Sequence, residues 1–162
     1  MPQKEAWSML KFTVQGEPIP QGSMRAFMPE KSKFPVVTSD NPRLKKWRKL
    51  VAQCSGLAMR KADFIQIARQ TPVRLTLDFY FDKPKSEKGI DKVTRPDLDK
   101  CVRAIQDAMT TAGVYEDDAQ VTELCARKLF GSPARVEIQV EEADFPPGTT
   151  VSRPILDCEL PF

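Results

Sequence analysis

Apolar and polar residues alternate most cleanly between Val73 and Phe81. There Val73, Leu75, Leu77, Phe79 and Phe81 interleave with Arg74, Thr76, Asp78 and Tyr80. A period of two over that length predicts a long strand with one face on the core, opening after Pro72. Shorter alternations predict strands at Lys11–Gln15, around Phe12 and Val14, and at Val36–Thr38. Two more alternating runs, Gln120–Leu129 and Arg135–Glu141, flank the turn residues Gly131-Ser132-Pro133, which predicts an antiparallel pair.

The period lengthens in two places. Leu44, Trp47, Val51, Cys54 and Ala58 recur at helical spacing after Asp40-Asn41-Pro42, a capping residue followed by proline, so a helix is expected from Arg43 to about Arg60. Leu98, Cys101, Val102, Ile105, Ala108, Met109 and Ala112 fall on a stripe about 120° wide. They predict a second helix, Lys100–Ala112, stopped by Gly113 in the left-handed conformation. Ala62–Arg69 reads as a short helical piece or an irregular excursion. Gly16–Gly22 is turn-rich, and Arg25, Lys31 and Lys33 follow in a polar loop. The sum is an α+β fold, a mixed sheet of about four to five strands with two main helices packed on it.

The second helix is bracketed by acids, Arg95-Pro96-Asp97-Leu98-Asp99 before it and Glu116-Asp117-Asp118 after it. Pro96 disfavours a helical Arg95. That places Asp97 on extended chain and Asp99 at or next to the N-cap, where the two carboxylates can face one point. Asp118 returns to that point if the chain turns at Gly113 and runs antiparallel to the helix. Three such carboxylates repel by about 4 kcal/mol per pair at 4 Å and an effective dielectric near 20. A divalent cation offsets this, and all-oxygen ligands select Mg²⁺ or Mn²⁺.

Arg-Pro-Asp-Leu-Asp-Lys, an amphipathic helix, then Val-Tyr-Glu-Asp-Asp-Ala-Gln-Val resemble the signature of the RusA family of Holliday junction resolvases. The opening Phe12–Arg25 resembles the family's N-terminal strand and basic loop. The resemblance covers roughly residues 10–142. It implies a RusA-like fold and a Mg²⁺-dependent homodimeric endonuclease, of a kind frequent in phages and prophages, that cuts four-way and related branched DNA. It makes Asp97, Asp99 and Asp118 the metal-binding catalytic acids, with Asp117 beside them. Two positions depart from the family pattern. Lys100 stands where Asn is common, and Arg103 stands where some members have lysine, which keeps the charge but not the accessible pKa.

Composition narrows the field further. The chain has 162 residues, enough for one domain with a core. It has no histidine, which removes Ser-His-Asp and Cys-His catalysis and His-built zinc sites. Its four cysteines show no Cys-x-x-Cys. No apolar run suits a membrane span or a secretory signal, so the expected location is the cytoplasm.

The net charge of +3 is uneven. Glu141, Glu142, Asp144, Asp157 and Glu159 against Arg153 leave residues 141–162 at −4 and the remainder at +7. A basic body around an acid cluster suits a polyanion cut at a metal. The candidate DNA contacts are Arg25, Lys45, Lys46, Lys88, Lys92, Arg95, Lys100 and Arg103; solvated helix faces and an ordinary loop are the competing reading. The endonuclease domain is expected over 1–142. An acidic tail over 143–162, ending in Pro161-Phe162, is similar to the tips by which single-stranded DNA-binding proteins recruit repair enzymes, a docking tag for a host replication or repair protein. The rival is a catalytically silent junction-binding or decoy module that recruits host repair factors through this tail.

Overall fold

A computed structural model describes residues 9–22, 24–28, 34, 36–39 and 42–143, with main chain alone at 24–27 and 36–39. The elements are β1 (Leu10–Gln15), β2 (Met24–Phe27), β3 (Val36–Ser39), α1 (Pro42–Lys61), β4 (Val73–Phe81), α2 (Leu98–Ala112), β5 (Val121–Phe130) and β6 (Arg135–Glu142). Asp118–Gln120 form a 3-10 turn ahead of β5. The α+β expectation holds. β1, β6, β4 and β5 form a mixed four-stranded sheet in that order, with two helices on it, and β2 and β3 pair separately. Met24–Phe27 is therefore a strand, not the polar loop expected around Arg25. Ala62–Arg69 is irregular, and the expected helix start at Asp40-Asn41 lies outside the described residues.

β4 is the central strand, and its alternation explains why. Val73, Leu75, Leu77 and Phe79 are wholly buried on the helix side, and Phe81 nearly so. α1 supplies Leu44, Trp47 and Val51 to the same core, and α2 supplies Cys101, Val102, Ile105, Ala108 and Met109. The α2 stripe forms as the spacing predicts, and Gly113 ends the helix at φ 75°. Its N–H donates to the carbonyls of Met109 and Thr110, which satisfies otherwise orphaned acceptors.

The expected β5–β6 antiparallel pair does not form. β5 runs parallel to β4, from Val73 beside Val121 to Phe81 beside Phe130. β6 pairs antiparallel with the other side of β4 and with β1. The connection after β5 is a crossing over the end of β4 rather than a hairpin. Gly131 makes the crossing possible: its N–H donates to Phe81 O, and a Cβ there would stand 2.6 Å from Tyr80 Cδ1. The Arg135 guanidinium stacks on the other part of this contact, 3.8 Å from the Tyr80 ring centre.

Because β4 and β5 are parallel, α2 is the crossover between them and runs back along the sheet. One end of the sheet, which we call the carboxyl end, gathers the close of β4 and β5 and the start of α2. The start of β5 lies at the opposite end. Gly131→Ala is expected to destabilise the fold by about 1–3 kcal/mol, the usual cost of overpacking. Urea denaturation checks this, and Tyr80→Ala in the same chain should recover most of the loss.

Candidate active site

The carboxyl end is assembled by main-chain anchors. Asp97 is the N-cap residue of α2, extended at φ −70°, ψ 136°. This is the extended conformation expected of it, but the cap position belongs to Asp97 rather than Asp99, which lies inside the first turn. The Asp97 carboxylate makes no capping bond to a helix N–H. It pairs instead with Lys100 at 3.1 Å. That contact, with Arg95 and Lys128 adding weaker attraction, holds Asp97 below the usual carboxylate range. Both Asp97 and Asp99 are exposed.

Lys128 gives the segment its position. It projects from β5, and its Nζ donates to Thr94 O at 2.7 Å and Pro96 O at 2.6 Å. The strand thereby holds the approach to Asp97. Sequence reading passed over this residue, although a lysine among the apolar positions of a strand was a signal. Lys92 is held too: its ammonium donates to Thr94 Oγ1 at 2.8 Å and lies 5.4 and 5.3 Å from the Phe81 and Phe130 rings. The Lys92 and Phe130 N–H groups donate to Lys128 O and Ile90 O, adding a short extra strand to β5 there.

The basic first turns of α1 belong to the same end. Gly16 N–H donates to Ala134 O, and Gln21 N–H donates to Lys100 O at 2.9 Å. Glu17, between them, pairs with Arg43 at 2.8 Å. Loop 16–22 therefore bridges the starts of α1 and α2. Among the described residues the buried side-chain oxygen of Gln21, a hard acceptor on this bridge, meets no hydrogen-bond donor. Lys45, Lys46, Lys88, Arg95 and Arg103 are exposed, whereas Lys100 is half-buried. Arg48 is committed to Asp107 on α2 at 3.3 Å. The side chain of Arg25 lies outside the described residues.

The second acidic segment is built differently and elsewhere. Gln120 is buried and ties the turn together: its Oε1 accepts from the Glu116 and Asp117 N–H groups, and its Nε2 donates to Ala68 O and Thr71 O. Asp117 accepts from Ala119 N–H, completing a capping box. That bond, then its contact with Asp118, pulls Asp117 below the usual range. The same contact pushes Asp118 up, followed by burial, the Asp117 charge and the Asp107 charge. Gln120 was another residue the sequence reading did not single out.

Asp118 does not return to Asp97 and Asp99. It precedes β5, whereas Lys128, which holds Pro96, is near the end of β5. The separation is on the order of 20 Å, about the length of a 15-residue helix at 1.5 Å per residue. Among the described residues no group of three or more acids or cysteines is placed to hold a metal ion. The donor chemistry suits a hard cation, but one chain alone does not gather it.

A family profile described as Endodeoxyribonuclease RusA matches residues 15–141. The chain belongs to the RusA endodeoxyribonuclease family. Its similarity to the uncharacterized protein YqaN of Bacillus subtilis (strain 168) is 30% identity over 145 residues, 82% of this chain and 96% of that one. It is also 35% identical over 75 residues to the crossover junction endodeoxyribonuclease rusA of Lactococcus phage r1t, 46% of this chain and 57% of the phage protein. As a RusA-family member the chain is an endonuclease. No helix among its described residues is long and apolar enough to cross a membrane.

Two outcomes follow. In a ¹³C titration of the carboxyl groups, Asp117→Asn should move the Asp118 midpoint to lower pH, since a like charge that disfavours its ionised form is gone; an unmoved midpoint would show the two carboxyls are independent. Gln120→Ala should cost about 2–4 kcal/mol in urea denaturation, because it leaves buried main-chain groups unpaired.

Proposed function

We propose that this RusA-family endonuclease cuts four-way and related branched DNA by paired nicks in recombination and repair, acting in the cytoplasm as a homodimer with Mg²⁺, for which Mn²⁺ substitutes. The observation that carries this reading is the carboxyl end of the sheet. Two exposed carboxylates, Asp97 and Asp99, stand there among Arg95, Lys100 and Lys128, with the basic first turns of α1 bridged to them by loop 16–22.

Each residue has a task in this reading. Asp97 and Asp99 hold the cation; Asp118, with Asp117 beside it, lies at the other end of α2 in its own chain and completes the acid set only from the second chain of the homodimer. A divalent cation, when bound, lowers the charge of the scissile phosphate and eases ionisation of water. Lys100 sits on Asp97 and keeps it ionised. Arg95, Arg103, Lys45, Lys46 and Lys88 engage the sugar-phosphate backbone, contacts that position DNA without reading sequence. Lys92, already bound to Thr94 and two rings, shapes the loop more than it grips phosphate. Residues 1–142 are the nuclease unit. The acidic segment beyond them, which apart from Ala143 lies outside the described residues, is a docking tag for a host replication or repair protein.

Asp97→Asn should reduce junction nicking by about two orders of magnitude or more, as loss of a group that stabilises reaction charge does. Junction affinity should stay equal or rise, because a phosphate repellent is removed. Affinity should fall steeply with salt, by about 0.9 log unit per log unit for each phosphate contacted. Gel-shift and nicking assays with Mg²⁺ or EDTA check both. Binding without nicking by the wild type would favour the silent junction-binding module instead.

A further inference from the structure

Among the described residues β1 pairs with β6 alone, so its other side is an edge of the sheet. A groove of about 360 Å³ runs there, with Lys11, Phe12 and Thr13 as one wall. These residues point alternately to the two faces of the sheet. The groove therefore follows the strand's edge, where main-chain N–H and C=O groups face outward. The other wall is one stripe of α1, Cys54, Leu57, Ala58 and Lys61, spaced by three and four residues. Phe12, Cys54 and Ala58 are partly buried against the core, and Leu57 is 49% exposed. The groove is thus apolar inside, with an exposed lysine on each wall.

The acidic tail carries a matching pattern. Between Pro154 and Pro161 it reads Ile155-Leu156-Asp157-Cys158-Glu159-Leu160. From Leu156 to Leu160 apolar and acidic residues alternate with a period of two, the pattern of a strand with one apolar and one charged face. A strand this short needs an existing edge to pair with. The tail also departs from the right place. β6 ends beside the start of β1, with Val140 opposite Leu10, and the Ala143 N–H donates to Pro72 O at that end of the sheet. α1 starts at the carboxyl end and, 20 residues long, closes with Lys61 at this opposite one. The residues from Asp144 to Leu156, extended, reach about 40 Å, which exceeds the length of β4.

We propose that residues 156–160 of the same chain add as a strand to the edge of β1. Leu156, Cys158 and Leu160 then enter the groove against Phe12, Cys54, Leu57 and Ala58. Asp157 and Glu159 turn to the face of the sheet that carries Lys11, where opposite charges on neighbouring strands attract. Lys61 adds to the positive field they meet. Main-chain hydrogen bonds to the strand edge supply affinity, and the groove selects for apolar residues at alternate positions. Pro161, which has no N–H to give, ends the pairing. The inference goes beyond the nuclease reading and stands without it. A host protein that takes the tail as its docking tag must first displace it from β1.

Two readouts on the full chain test this. The first is alkylation of Cys54 by iodoacetamide, followed by peptide mass in a Cys125→Ser, Cys158→Ala background, which reports cover over the groove. A tail docked about nine-tenths of the time slows the reagent about tenfold. Leu156→Asp with Leu160→Asp should remove that protection and leave the urea midpoint unchanged. The second is residue-resolved hydrogen exchange. The same two changes should expose the outward N–H groups of β1, while those bonded to β6 stay protected. Lys11→Glu with Lys61→Glu should expose them too, and adding Asp157→Lys and Glu159→Lys should protect them again. Equal alkylation rates with and without the Asp changes would give the groove to another occupant or to none, and would overturn the proposal. So would a fourfold charge change that leaves β1 as open as the lysine changes alone. A wild-type rate that rises on dilution would assign the groove to the tail of a second copy and overturn it as well.

Discussion

The direction of one crossover constrains this molecule more than any single contact. β4 and β5 lie parallel, so the chain between them must travel back along the whole sheet, and α2 is that return path. Its apolar stripe buries Cys101, Val102, Ile105, Ala108 and Met109 on the helix-facing residues of β4. Packing of this kind fixes the helix as a rigid strut. The two acidic segments are attached to its opposite ends, and the core that stabilises the strut keeps them apart.

Each end is then made firm by groups that are not themselves acidic. At one end Lys128 reaches from β5 to the carbonyls of Thr94 and Pro96, and Lys100 pairs with Asp97. At the other, Gln120 satisfies two N–H groups and two carbonyls of the surrounding turns. The buried thiol of Cys101, pushed up to about 12 chiefly by burial, is inert packing beneath the acids. Electrostatic character separates the ends as well. Asp97 is held ionised by cations, whereas Asp118 shares its surroundings with Asp117 and Asp107 and keeps its proton longer.

What the sequence made legible was local. The period-two run of β4, the α2 stripe and the Gly113 stop all depend on nearby residues and formed as read. The family signature in Arg95–Lys100 and Glu116–Val121 was equally local, and the profile match agrees with it. Strand partnership was not legible in this way. A glycine-proline turn between two alternating runs reads as a hairpin, whereas the pairing puts β5 and β6 on opposite sides of β4, with the chain crossing between them at Gly131. The expectation that Asp118 folds back on Asp97 failed for the same reason, since a helix followed by a turn does not announce which strand comes next. Lys128 and Gln120 escaped notice because their work is bonding to main chain, which leaves no charge pattern.

The separation of Asp97 and Asp99 from Asp118 of the same chain is the claim on which the account stands. The most direct measurement is anomalous diffraction from crystals of the protein grown with Mn²⁺. The account predicts a manganese peak at Asp97 and Asp99 with Asp118 of the same chain on the order of 20 Å away from it. A peak bound by all three carboxylates of a single chain would contradict it.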